Sequence, residues 1–139
     1  PVLARTLIAL EKCEMIDEIV ISAHKDSVME YGMLAKEYGI KKLKCVVPGG
    51  ENRSISVFKG ISAVSEECRF VAVHDGARPF ITNEELENVI HKAFYTGAAT
   101  ASVPVKDTIK QISDSKITAT VDRANLVQVQ TPQVLHRES

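Results

Sequence analysis

Two short segments concentrate the residue types that bind phosphates, sugar hydroxyls and metal ions. In Pro48–Ser56, two glycines precede an acidic residue, an arginine and two serines. In His74–Pro79, the carboxylate of Asp75 is followed by two small residues and by Arg78. Small residues let a ligand approach backbone amides, a carboxylate binds Mg²⁺ or a ribose hydroxyl, and a guanidinium forks two hydrogen bonds to a phosphate. The two segments together indicate binding of a phosphorylated ligand or a nucleotide.

Each segment also has an ordinary structural interpretation. A turn between a strand and a helix favours glycine, and Asn52 or Ser54 can serve only as a helix N-cap. Asp75 can cap its own turn and pair with Arg78. For the first segment the structural interpretation is favoured, whereas the close grouping of chemistry-bearing residues favours function for the second.

A third group combines threonine hydroxyls with a guanidinium later in the chain. Thr108 opens one arm of a predicted hairpin, Arg123 closes the other arm, and Thr131 follows a predicted last strand. Each residue alone has a structural explanation, since Asp122 and Arg123 can form a surface ion pair of little energy. Together they predict polar side chains gathered near a sheet edge.

Other catalytic patterns are missing from the sequence. It contains no P-loop, no G-x-G-x-x-G fingerprint and no G-x-S-x-G elbow. The histidines lack metal-ligand spacing, and the widely separated cysteines suggest neither a zinc site nor a disulfide framework. The cysteines are predicted to be buried free thiols in a reducing cytosol: Cys13, Cys45 and Cys68.

Apolar runs that are typical of buried strands alternate with segments of helical periodicity. This alternation predicts an α/β fold, with a Rossmann-like, mostly parallel sheet covered by helices on both faces. Ligands in such folds bind outside the carboxyl ends of the strands, where the first two segments lie. The predicted last strand covers 126–130; Thr131–Gln133 breaks it, and a helix begins as the chain ends.

The region that begins at residue 108 does not continue this alternation of strands and helices. Residues 108–113 and 116–122 alternate with a period of two around Asp114 and Ser115, which predicts a β-hairpin. The chain is therefore predicted to be a single domain over residues 1–139, with residues 108–123 as a protruding β-hairpin arm.

Composition and charge narrow the possible partners. The chain has 139 residues, 45% of them hydrophobic, and a formal net charge of -1. A near-neutral balance argues against nucleic acid or a membrane surface as partner, but a phosphorylated small molecule needs only a few local cations. No apolar run approaches the roughly 20 residues that span a bilayer, and no signal peptide opens the sequence.

Several motifs occur in one order along almost the whole chain. This order resembles the 2-C-methyl-D-erythritol 4-phosphate cytidylyltransferase family of the non-mevalonate isoprenoid pathway. Any one motif is weak, but their order and compatible spacing are specific. The motifs are Gly49-Gly50-x-x-Arg53-x-x-Ser56, Val73–Phe80, Val103–Lys110 with a variable residue at 106, Asp122-Arg123 and Gln130–Gln133.

The resemblance implies an activity, a cofactor and site residues. The family transfers CMP from CTP to methylerythritol phosphate, a polyol phosphate, and releases pyrophosphate, with Mg²⁺. By resemblance, the cytosine pocket is lined by Gly50, Glu51 and Ser56. The ribose and the metal-bound phosphates lie by Asp75, the expected metal ligand, and Gly76. The acceptor is held by Arg78, Thr108 and Thr131, and Arg123, the expected catalytic residue, positions its phosphate.

The resemblance also implies an assembly and a compartment. Family members are homodimers in which the hairpin arm embraces the partner subunit, so the site can be shared between subunits. The expected location is the bacterial cytoplasm, or a plastid if the source is a plant or alga.

The sequence departs from the family at one internal position and at both ends. Ile55 stands where the family often has a polar residue, and it is predicted to pack under the start of the helix. The family's glycine-rich triphosphate loop precedes the segment that matches Pro1, and a further phosphate-positioning lysine follows the segment that matches Ser139. The chain is therefore expected to be a truncated piece with little or no turnover alone.

Two alternatives remain open at the level of sequence. A ribitol-5-phosphate cytidylyltransferase has a similar histidine-aspartate loop, although Val103–Val105 and Asp122-Arg123 favour methylerythritol phosphate. The other alternative is a non-catalytic nucleotide-binding or dimerisation module without the triphosphate loop.

Overall fold

A computed structural model describes residues 1–104, 109–113, 116–121 and 127–137. The α-helices are α1 (Val2–Lys12), α2 (Val28–Glu37), α3 (Arg53–Ser62) and α4 (Asn83–Thr96). The strands are β1 (Ile19–Ala23), β2 (Leu43–Pro48), β3 (Phe70–Val73), β4 (Ala98–Pro104), β5 (Ile109–Ser113), β6 (Lys116–Val121) and β7 (Val127–His136). Within these ranges, no helix has the length and apolar character needed to cross a membrane.

The described strands form three hydrogen-bonded groups. β1 pairs with β2 in parallel, and β7 lies between β3 and β4, antiparallel to both. β5 pairs with β6 in a separate antiparallel sheet. The predicted α/β fold with parallel strands and packed helices is confirmed, and the structure adds the reversed direction of β7.

The prediction for the end of the chain is wrong. Strand β7 does not stop at residue 130, and it continues through Pro132 to His136 where a helix was expected. Gln130 pairs with Ala101, whereas Gln133 pairs with the neighbouring Thr100. The extra residues on β7 form a bulge, which tolerates a proline because that position needs no ladder N–H.

Two apolar clusters form the core on either side of the molecule. One joins β1 to α1 and α2, and it contains Leu7, Ile19, Ile21, Ala23, Ala35 and Ile40. The other joins α4 to β7, and it contains Cys13, Leu86, Val89, Ile90, Ala93 and Val134. In α4 the buried residues recur at the spacing of one helical face, so burial of this face stabilises the helix on the sheet.

Apolar character alone does not decide which side chains of the helices are buried. Met33 of α2 is 69% exposed and Phe58 of α3 is 68% exposed, while Phe94 of α4 is about half exposed. In α2, which packs on β2, the buried residue is the small Ala35.

Capping interactions account for the ends of two helices. The sequence Thr82-Asn83-Glu84-Glu85 has the capping-box pattern, and the Thr82 hydroxyl accepts a hydrogen bond from the Glu85 N–H at 3.1 Å. Gly97 ends α4 at a φ of 89°. Asn52 caps α3 through a 2.9 Å bond from the Ile55 N–H to its Oδ1. Ser27, which precedes α2, makes no side-chain capping bond.

The loop that follows α3 is tied to the start of β1 by Glu18. The Glu18 carboxylate accepts hydrogen bonds from both the N–H and the hydroxyl of Ser65, and Arg137 donates to the Ser65 carbonyl at 3.0 Å. The hydrogen bond from the Ser65 hydroxyl is the main cause that holds the pKa of Glu18 below its ordinary value. These contacts anchor the loop that leads into β3. They lie at the starts of β1 and β3, whereas the segment His74–Pro79 follows the end of β3.

We predict that Ser65→Ala destabilises the chain in a pH-dependent way. Loss of the hydroxyl should lower the free energy of unfolding by about 1 kcal/mol at pH 7. A lowered folded-state pKa contributes stability above the ordinary pKa of a glutamate, and this contribution disappears as the pH falls through the folded-state pKa. The difference from wild type should therefore narrow between about pH 5 and pH 3 in chemical denaturation.

The matched control is Ser54→Ala, which removes an exposed hydroxyl from the first turn of α3. It should show no comparable dependence on pH. A Ser65→Ala effect that stays constant from pH 7 to pH 3 would contradict the assignment of this tie to the ionised carboxylate.

Candidate functional site

The two ligand-binding segments predicted from the sequence border the same cleft. This cleft has a volume of about 950 Å³ and lies between β1 and β3, with α3 and α4 contributing to its walls. Ser22 lines it at the end of β1, Ser56 lines it from α3, and Val73–Gly76 lines it at the end of β3. The cleft runs along both strands, from Glu18 and Ser65 at their starts to Ser22 and Asp75 at their ends. The two ligand segments lie at the carboxyl ends, where an α/β fold binds ligands.

The glycine segment folds back on the first turn of α3. The Gly49 N–H donates to the Ala23 carbonyl at 2.6 Å, and the Gly50 N–H donates to Ser56 Oγ at 3.0 Å. The Ser22 hydroxyl donates to the Ser56 carbonyl at 2.8 Å. These bonds hold the turn against β1 before any ligand binds.

Gly50 is required by this packing. A Cβ atom at this position would overlap the β-branched side chain of Ile55, which cannot swing away as the tip of a flexible chain would. Ile55 is 40% exposed, so the prediction that it packs under the helix start is wrong. Its contact with Gly50 instead shapes the turn.

The residues assigned to the cytosine pocket are not all brought together. Gly50 and Ser56 are joined by a hydrogen bond, and both are half-buried. The Glu51 side chain is exposed at the outside of the same turn. The structure thus places two of the three residues in one compact unit, and Glu51 at its solvent side.

The second segment is a turn closed largely by its own residues. Asp75 Oδ1 accepts from the Ala77 N–H at 3.0 Å, and the Asp75 carbonyl accepts from the Arg78 N–H at 3.0 Å. Arg78 Nε lies 4.0 Å from Asp75 Oδ2, and both side chains are a little under half exposed. Asp75 therefore caps its own turn and pairs with Arg78, as the structural interpretation predicted. An ion pair this long and exposed is weak, so the Arg78 guanidinium can still bind a phosphate.

Helix α1 anchors this turn through a residue that the sequence interpretation missed. Thr6 is 2% exposed, and its hydroxyl lies 2.8 Å from the Gly76 carbonyl and 3.3 Å from the Val2 carbonyl. A Cβ at Gly76 would come within 3.1 Å of Leu3. The signal was a threonine in the middle of an apolar helix face, where a hydroxyl needs a partner.

His74 is the second residue that the sequence interpretation missed. Its Nε2 lies 3.1 Å from the Arg78 carbonyl, and its Nδ1 is buried without a hydrogen-bond partner among the described residues. Burial lowers the pKa of His74, which the contact with the Arg78 carbonyl only partly opposes, so the imidazole is neutral at pH 7. The signal was its place between a buried strand and Asp75.

The structure describes the remaining predicted site residues only in part. Thr131 belongs to the β7 bulge, and its backbone is described but not its side chain. Val73 at the end of β3 pairs with Gln133, so the bulge lies towards His74 and Asp75. Thr108 and Arg123 lie outside the described residues.

Asp75 fits a magnesium ion that is bound together with phosphates. Across the part of the chain that the structure describes, no three histidine, cysteine or acidic side chains form a metal-binding group. Mg²⁺ is commonly held by one or two carboxylates together with substrate phosphates and water, and does not need an all-protein cage. A single, half-exposed carboxylate at a strand end is compatible with that arrangement.

We predict that Thr6→Val loosens the turn that contains Asp75. Valine has nearly the same shape but no hydroxyl, so the Gly76 carbonyl loses its donor and the free energy of unfolding should fall by about 1 to 3 kcal/mol. The Ala77 amide should exchange with deuterium faster, whereas Thr6→Ser, which keeps the hydroxyl, should exchange nearly as wild type. Equal exchange in both variants would show that Thr6 does not hold the turn.

Comparison with known proteins identifies the group to which this chain is similar. Residues 1–139 match the family model for 2-C-methyl-D-erythritol 4-phosphate cytidylyltransferase. The chain is 43% identical over 133 residues to the enzyme of that name from Halalkalibacterium halodurans, with 96% of this chain and 58% of the relative covered. The corresponding protein of Syntrophus aciditrophicus is 42% identical over 139 residues, which cover 99% of this chain and 59% of the relative.

Structural comparison agrees with the sequence match. The crystal structure of 4-diphosphocytidyl-2C-methyl-D-erythritol synthase from Anaerococcus prevotii superposes with a TM-score of 0.90 at 29% identity, covering 99% of this chain and 60% of that one. The chain therefore spans about three-fifths of the length of these relatives. The family match over every residue of the chain and the shared fold confirm the resemblance of the motifs: the chain belongs to the 2-C-methyl-D-erythritol 4-phosphate cytidylyltransferase family.

Proposed function

We propose that the protein containing this chain transfers CMP from CTP to 2-C-methyl-D-erythritol 4-phosphate and releases pyrophosphate. The observation that carries this proposal is that Ser56, which closes the Gly50 turn, lines the same cleft as Asp75 and Gly76. The relatives that match 96% and 99% of this chain carry the name of this activity. The proposal includes Mg²⁺ bound with CTP, a homodimer formed through residues 108–123, and a cytoplasmic location.

The chemistry requires placement and charge neutralisation and no general base. An oxygen of the acceptor phosphate attacks the α-phosphorus of CTP, and the bond from this phosphorus to the bridging oxygen breaks, so that its electron pair leaves with pyrophosphate. The second pKa of a phosphate monoester is about 6, so the nucleophile is mostly ionised at neutral pH. The absence of a catalytic histidine arrangement in the sequence is consistent with this requirement.

The base and the acceptor are assigned to different parts of the cleft. Gly50, Glu51 and Ser56 are proposed to bind the cytosine, and the hydrogen-bonded turn of Gly50 and Ser56 supports that role because it is formed in advance. Arg78 is proposed to hold the acceptor, together with Thr108 and Thr131. Its partly exposed guanidinium, weakly paired with Asp75, supports this assignment.

Asp75 and Gly76 are proposed to lie beside the ribose and the phosphates of CTP. Asp75 would hold Mg²⁺, which, when bound, neutralises charge on the triphosphate. The carboxylate is oriented by the Ala77 N–H, and the Gly76 backbone is anchored by Thr6. These bonds fix the direction of the carboxylate with respect to the cleft.

The activity test uses the full reading frame of the gene, because the chain spans about three-fifths of its relatives. The purified product is incubated with CTP, Mg²⁺ and either methylerythritol phosphate or ribitol 5-phosphate, and pyrophosphate release is measured. Release with methylerythritol phosphate supports the proposal, whereas a preference for ribitol phosphate or no release with either acceptor would overturn it. The 139-residue chain alone is expected to show little or no turnover.

We predict that Arg123→Ala in the full-length product lowers kcat by about 100-fold or more, because a cation that positions the attacking phosphate is lost. The Kd for CTP, measured by titration calorimetry without acceptor, should stay near the wild-type value. Arg5→Ala, which removes an exposed arginine from α1, is the charge-matched control and should leave both quantities unchanged. Unchanged turnover in Arg123→Ala would remove Arg123 from the site.

A further inference from the structure

We propose that His74 is a positioning residue, which fixes the backbone at Arg78 so that the Arg78 guanidinium faces the acceptor. This inference rests on the proposed function. It adds a residue that acts on the acceptor through the turn that follows β3.

The first support is the place of the hydrogen bond in the turn. The inner bonds of the turn link Asp75 to the N–H groups of Ala77 and Arg78. The His74 ring spans the whole turn and reaches the Arg78 carbonyl, with Nε2 at 3.1 Å. It therefore joins the last residue before the turn to the residue that carries the acceptor-binding guanidinium.

The second support is the direction of this hydrogen bond. A carbonyl oxygen only accepts hydrogen bonds, so Nε2 carries a hydrogen and donates it to Arg78. Nδ1 is buried and has no hydrogen-bond partner among the described residues. Within the part of the chain that the structure describes, the Nε2–H bond to Arg78 is therefore the hydrogen bond through which the His74 ring acts on the turn.

The third support is the following residue, Pro79. The residue before a proline is restricted to extended backbone conformations, so the direction of the Arg78 carbonyl is already limited. The bond from His74 removes the remaining freedom of this peptide group. Arg78 then leaves the turn in one direction, with its Nε 4.0 Å from Asp75.

The test compares three substitutions in the full-length product. His74→Gln places an amide N–H at about the reach of Nε2 and can still donate to the Arg78 carbonyl. His74→Asn carries the same amide but reaches only as far as Nδ1, and His74→Phe fills the volume without a donor. Comparison of the three variants separates the effect of the hydrogen-bond donor from the effect of side-chain volume.

The expected result is a rescue by glutamine alone. His74→Asn and His74→Phe should lower kcat/KM for methylerythritol phosphate by about tenfold, the effect of one lost orienting hydrogen bond, while His74→Gln stays within about threefold of wild type. The Kd for CTP should be the same in all three. The Arg78 amide should exchange with deuterium faster in the asparagine and phenylalanine variants than in the glutamine variant.

Several outcomes would overturn the inference. Equal kcat/KM in the three variants, or equal amide exchange, would show that the Nε2–H bond does not position the turn. A parallel loss of CTP affinity would indicate a general structural role. If wild type itself does not release pyrophosphate, the proposed function fails, and amide exchange still decides whether His74 holds the turn.

Discussion

Leu7 of α1 is buried in the same apolar cluster as the inward-facing side chains of β1, and each candidate ligand turn is hydrogen-bonded to one of these two elements. The hydroxyl of Thr6, the neighbour of Leu7, donates to the carbonyl of Gly76. From β1, the carbonyl of Ala23 accepts a hydrogen bond from the Gly49 N–H. The apolar cluster thereby connects two loops that are far apart in the sequence.

The two turns are held in their conformations by different means. At Gly50, the constraint is steric, since the side chain of Ile55 occupies the space that a Cβ would need. At Asp75–Arg78, the constraint is a set of hydrogen bonds from Thr6, His74 and the turn itself. Loops positioned in advance lower the entropy that must be lost when ligands are aligned for phosphoryl transfer.

Local signals predicted the local structure well. The capping box at Thr82, the end of α4 at Gly97 and the alternation of helices with strands all follow from interactions between residues close in sequence. Which α2 side chain is buried did not follow, because Met33 and Ala35 are both apolar and only the tertiary packing of α2, mainly on β2, chooses between them. The extension of β7 through Pro132 was missed for the same reason, since a bulge depends on the partner strand.

The sequence by itself determined the residue types of the site and, through the order of its motifs, the family. Gly49 and Gly50 follow β2, and Asp75 and Arg78 follow β3. These positions are readable from the sequence because the residues just before them have the apolar pattern of buried strands. Only the tertiary structure decided which of these groups meet and what holds them: Ser56 closes the Gly50 turn, Thr6 anchors Gly76, and the His74 ring spans to Arg78. Such contacts join groups whose directions depend on the packing of α1 and β1, and a linear pattern carries no information about those directions.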